Sequence, residues 1–99
     1  MVIFITTTTT LYSTQITCAD AAKPVLNVSL PFYSANFHIE DNDVYYGNGT
    51  NMTAVAVSGA VISLEKGDLG HIFFMNKTPG STAKVSIVAT VDKQTFGEQ

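Results

Sequence analysis

The chain has no tryptophan, no arginine, one cysteine and three prolines in 99 residues, and 13% of it is charged. Each shortage closes off a class of function. Arginine is the side chain that grips phosphates and guanine edges in bidentate fashion. The five basic residues are lysines (Lys23, Lys66, Lys77, Lys84, Lys93), scattered along a chain of net charge −3, so no nucleic-acid interface is expected. Without tryptophan, a leading sugar-stacking and interface-anchoring residue is missing. Cys18 alone can form neither an intrachain disulfide nor a thiol-rich metal site, and it reads as a small buried apolar residue. No apolar run approaches the ~20 residues that a membrane-spanning helix needs, so no membrane partner is expected. Met1 to Ile5 is apolar, but no basic residue precedes Lys23 and Thr6–Thr10 cuts the segment short, so it is not read as a leader.

What is present favours strands. Thr, Val, Ile, Phe and Tyr dominate, and branched and aromatic side chains pack well on a pleated surface. From Thr82 to Asp92 the chain alternates, with Val85, Ile87, Ala89 and Val91 on one side and Lys84, Ser86, Val88 and Thr90 on the other. That is the period of a half-buried strand. Ala35, Phe37 and Ile39 make a similar inward set, as do Leu26, Val28 and Leu30, with Pro31 ending the latter strand or marking an edge. Val61–Leu64 and Leu69–Met75 read as two strands of a hairpin turning at Glu65-Lys66-Gly67-Asp68. Asp41-Asn42-Asp43, Gly47–Asn51, Ser58-Gly59 and Asn76–Ser81 are turns or loops by composition. Met52–Val57 carries small apolar residues on both faces, as a central strand would, and Gln94–Gln99 reads as a polar tail. Seven or eight short strands with turn signals about every ten residues, and no helix, predict an all-β sandwich.

Residues 2–18 read as extended, with Tyr12, Thr14 and Ile16 on one face and Leu11, Ser13 and Gln15 on the other. So long and neutral an edge invites pairing with another chain. It is therefore taken as an N-terminal arm or exchanged strand, with residues 1–23 as arm and connector and residues 24–99 as the sandwich domain.

Candidate chemistry is sparse. His38, Glu40, Asp41 and Asp43 form the one cluster with Ca²⁺-ligand character, but it lacks the glycine and distant glutamate of an EF-hand loop. A solvated strand face running into a turn accounts for it equally. His71 reads as structural. No serine sits in a nucleophile elbow and no glycine-rich phosphate loop is present, so neither an enzyme nor a cofactor is expected. Lys66-Gly67-Asp68 matches an integrin-binding tripeptide but is read as a plain turn. The sequons at Asn27, Asn48, Asn51 and Asn76 sit on outward positions or loops and are read as composition. Tyr45 and Tyr46, beside the Asn48–Asn51 loop, could supply stacking groups for a carbohydrate.

Two resemblances carry this further. Val61-Ile62-Ser63-Leu64-Glu65-Lys66-Gly67-Asp68, leading into an apolar strand, resembles a step common in TNF-like and complement-type jelly rolls. This implies a jelly-roll-like antiparallel sandwich, often assembled as a trimer. As a short, acidic, Thr-rich β chain with an extended N-terminal arm, the protein is similar to the decoration (cement) proteins of tailed-phage capsids. That resemblance implies a non-enzymatic structural protein of a bacteriophage virion, assembled in the host cytoplasm. It would be a homotrimer or dimer bound to a capsid or other large protein assembly, with Val2, Phe4, Leu11, Tyr12 and Ile16 carrying contacts. The alternative is a carbohydrate- or cell-surface-binding sandwich at an extracellular surface, using Tyr45 and Tyr46.

Overall fold

The computed structural model describes the backbone of residues 3–98 and the side chains of residues 8–92. The described residues form eight strands: β1 (Ile3–Cys18), β2 (Lys23–Pro24), β3 (Pro31–Asp41), β4 (Val44–Gly47), β5 (Ala54–Ala56), β6 (Val61–Asp68), β7 (Phe73–Asn76) and β8 (Ala83–Glu98). A single 3-10 turn, Leu69–His71, joins β6 to β7.

Two antiparallel sheets result, ordered β1-β8-β3-β6 and β2-β7-β4-β5. The pairs β1/β8, β2/β7, β3/β6 and β4/β5 are each antiparallel neighbours. The chain is thus one long hairpin whose legs, β1 to β4 and β5 to β8, stay paired while they roll into two layers. Pairing of β3 with β8 and of β4 with β7 closes the roll. This is the jelly roll expected from the sequence.

The core comes mainly from the two central strands of the first sheet. Period-2 alternation turns Val85, Ile87, Ala89 and Val91 of β8 inward, together with Ala35, Phe37 and Ile39 of β3. Phe32 is also buried, three residues before Ala35, because a bulge at Tyr33 shifts the register and restores the inward face. From the second sheet come Val44, Ala56 and Phe74. Phe37 sits at the centre, edge-on to Phe32 with centroids 6.4 Å apart and 5.6 Å from the ring of Phe74. Phe74 in turn lies 6.2 Å from Tyr46. This aromatic chain spans both layers, and such contacts add about 0.5–1.5 kcal/mol each beyond the area they bury.

Several local expectations give way to long-range pairing. Glu65–Asp68 is not a hairpin turn: β6 continues through it against β3, with Gly67 opposite Phe32. Lys66 takes a left-handed φ of 61° there. A Cβ on Gly67 would stand 2.7 Å from Cζ of Phe32, so the glycine makes room for a core ring. The chain leaves the sheet at Leu69–His71 instead, and β7 begins at Phe73 in the other sheet. Val25–Leu30 is not a strand either. It crosses between the sheets, and the amides of Val25 and Leu26 donate to the carbonyls of Ile72 and Leu69. Val28, expected inside, is 68% exposed. Met52–Val57 is not central: only Ala54–Ala56 is paired, at the edge of the second sheet, where Val55 and Val57 are exposed. Residues 94–98 extend β8 opposite Ile3–Thr7 rather than forming a tail; Gln99 lies outside the described residues.

Candidate functional site

The Ile3–Cys18 segment pairs with β8 of its own chain over its whole length, from Ile3 opposite Glu98 to Cys18 opposite Ala83, without a bulge. Ile16 and Cys18 belong to the core. Pairing of β3 with β8 stops at Phe32 opposite Val91. Beyond that point β8 has only β1 beside it, and residues 3–9 with 92–98 leave the sandwich as a two-stranded ribbon. Six residue steps of strand extend about 20 Å. The molecule measures 59 × 23 × 19 Å, with a radius of gyration of 15.9 Å, against about 13 Å for a compact chain of this length. The ribbon accounts for the elongation.

The expected contact residues divide accordingly. Val2 lies outside the described residues, as does the side chain of Phe4. Leu11 points outward and is 71% exposed. Tyr12 is half-buried against the core and Ile16 is buried within it, which leaves Ile16 no surface to offer a neighbour. Around Leu11, the outer face of the first sheet is neutral at its centre and charged at its borders, with Asp92 beside Thr9, Lys84 beside Thr17, Glu65 beyond Ser34 and Glu40 beside Gln15. Leu11 stands beside Thr90 and Ser34, and Ser13 beside Val88, Asn36 and Ser63. Val88 is 45% exposed at the middle of this face. The next row, Gln15, Ser86 and His38, is hydrogen-bonded from Gln15 Nε2 to Ser86 Oγ at 3.2 Å. Gln15 Nε2 also donates to Glu40 Oε2 at 2.5 Å. A face of hydroxyls, amides and isolated apolar side chains suits contact with another protein surface.

Tyr45 and Tyr46 stand on opposite faces of β4. Neighbours on a strand face opposite ways: Tyr46 turns in toward Phe74, while Tyr45 stands in a row with Val55 and Met75. The two rings cannot form one stacking platform, and the strand period alone carries that signal.

The acidic cluster is likewise dispersed. His38 and Glu40 point outward from β3, and Asp43 Oδ1 accepts from the amide of Ser58 at 3.0 Å. Among the described residues, no group of three or more His, Cys, Asp or Glu side chains could hold a metal ion. Cys18 is buried; burial pushes its thiol up, partly opposed by nearby Lys23. Asn76 is not outward but 3% exposed, opposite Val44, with its Nδ2 donating to the carbonyl of Thr78. Its sequon is closed in the folded chain. No helix among the described residues is long and apolar enough to cross a membrane.

Asp68, the last residue of Lys66-Gly67-Asp68, is a structural acceptor that pattern reading missed. Its carboxylate accepts from the hydroxyl of Ser29, from the amide of Leu30 at 2.9 Å and from the amide of Gly70 at 2.8 Å. It ties the crossing segment to the 3-10 turn. These bonds, that of Ser29 foremost, hold the Asp68 carboxyl below its usual range. A depressed carboxylate contributes stability above its unfolded pKa of ~3.9, and the contribution fades as pH falls through the folded value. Asp68→Asn is therefore expected to be less stable than the parent at neutral pH, with the gap narrowing below pH ~4. Urea midpoints measured across that range would refute the assignment if the gap stayed constant.

No protein-family model, curated protein or solved structure matches the chain.

Proposed function

We propose that this protein is a non-enzymatic structural component of a virion, a decoration protein of a tailed-phage type of capsid that stabilises the assembled shell. The observation that carries the reading is the ribbon of residues 3–9 and 92–98 projecting from a jelly roll whose outer face is neutral at its centre, with its charges at the borders. A ribbon about 20 Å long can reach past the body to a neighbouring subunit, and a face neutral at its centre can lie on a shell while its border charges stay at the solvated rim. The chain acts as a homodimer or homotrimer, assembled in the host cytoplasm and retained in the particle.

The mechanism is mass action. A protein that binds the assembled shell and not its dissociated subunits stabilises assembly by about 2.7 kcal/mol at a hundredfold excess over Kd. Quantitative mass spectrometry of particles banded from the native source is expected to find the chain in fixed ratio to the major shell protein. Particles stripped of it should disrupt at lower temperature and recover when it is added back. Its absence from purified particles would end this reading.

A further inference from the structure

The four sheet edges are not treated alike. Exposed edges are templates for pairing, and proteins blunt them with short strands, prolines, charges and irregularities. In the second sheet, β5 has three residues and β2 has two, one of them Pro24. In the first sheet, β6 carries Glu65 and Lys66, with Lys66 in the left-handed region as a local irregularity in a continuous strand. The remaining edge, β1, has none of these devices. Across Ile3–Cys18 there is no charge, no proline and no glycine, and the register with β8 never slips. In the sheet order no strand lies on its other side. Three edges are blunted and the longest is left open.

We propose that this edge pairs with the β1 edge of a second copy, antiparallel about a two-fold axis through Leu11, joining two four-stranded sheets into one of eight. The proposal rests on reading this strand as the chain's assembly surface, and it names the occupant and the register. An antiparallel strand is complementary to itself: about a two-fold axis, each main-chain donor meets the acceptor that its own symmetry mate supplies. Opposite residues in such a pair must point to the same face of the sheet. That condition requires the numbers of opposed residues to add to an even total. A total of 22 sets Leu11 opposite Leu11 of the second copy and Thr9 opposite Ser13. Leu11 is the large apolar side chain left exposed on the described part of β1, and this register covers each Leu11 with the other. The remaining outward residues, Thr9, Ser13, Gln15 and Thr17, are all neutral, so no like charges oppose one another.

The test is crosslinking in the full chain. In Leu11→Cys the two new thiols face each other across the axis, and mild oxidation is expected to convert most of the protein to a disulfide-linked dimer. In Ser13→Cys the thiols are four residues out of register, about 14 Å apart, beyond the ~7 Å Cα separation a disulfide spans; this variant is expected to stay uncrosslinked. Cys18 is buried and serves as the internal negative control in the parent chain. Light scattering over a hundredfold range of concentration should give twice the monomer mass for the parent and the monomer mass for Leu11→Lys. Leu11 is largely exposed, so far-UV circular dichroism of that variant should be unchanged. An oligomer that crosslinks as readily through Ser13→Cys as through Leu11→Cys would overturn the edge pairing and leave self-assembly standing. A parent that is monomeric throughout would overturn both.

Discussion

Phe37→Ala is expected to cost about 3–5 kcal/mol of stability. Phe37 is fully buried, and it links Phe32 in its own sheet to Phe74 in the other. Truncation would leave a cavity between two sheets whose strands are fixed by their ladders, so the gap cannot collapse cheaply. Domains of this size are stable by roughly 5–15 kcal/mol in total, so the loss is a large fraction of the whole and the urea midpoint should fall markedly. Ile87→Val, one methylene smaller on the neighbouring strand, should cost only about 0.5–1.5 kcal/mol. Urea denaturation of both variants checks the difference. Near-equal losses would mean that the aromatic chain across the layers is not the centre of the core.

Truncation of the N-terminal segment is the second large effect, and its two halves should behave oppositely. Removing residues 1–18 takes away the whole of β1, including Ile16 and Cys18 from the core, and bares the edge of β8. A fully buried Ile is worth about 1.5–3 kcal/mol, and an exposed central strand is a pairing hazard. This variant is expected to be unfolded or aggregated. Removing residues 1–8 shortens only the ribbon, which lies beyond the last pairing of β3 with β8. That variant should keep its fold, with a denaturation midpoint within about 1 kcal/mol of the parent, while losing whatever contact the ribbon makes with a shell. Circular dichroism and urea melts of the two truncations decide the matter. A folded 19–99 fragment would restore the view of this segment as a detachable arm.

The strand faces were legible from sequence because alternation is a local property. Thr82–Asp92, Ala35–Ile39 and Tyr12–Ile16 each place their side chains as their patterns require, since successive residues on any strand point to opposite faces. The loops at Asn42, Gly49, Gly59 and Gly80 were legible too; all four adopt positive φ, which Gly and Asn tolerate and most residues do not. The contact set was only partly legible. Leu11 is exposed as an assembly residue requires, whereas Ile16 shares a face with Tyr12 and goes to the core. Tyr45 and Tyr46 are adjacent in sequence and therefore on opposite faces in any strand.

Where a chain turns back and where it crosses to the other layer depends on partners far away. Lys66-Gly67 has the composition of a hairpin turn, yet the pairing of β6 with β3 and the ring of Phe32 against Gly67 carry the strand straight through it. Val25–Leu30 has the alternation of a strand, yet its backbone bonds go to Leu69–Ile72 and to the carboxylate of Asp68. By itself the sequence determined that this protein is a charge-poor β-sandwich and which face of each long strand looks inward. Only the tertiary structure decided which strands are neighbours, and with them the jelly-roll order, the ribbon of paired ends and the one unguarded edge. Facing is set by a two-residue period within each strand, whereas neighbours are chosen by competition among all strands for the same ladder bonds and the same core.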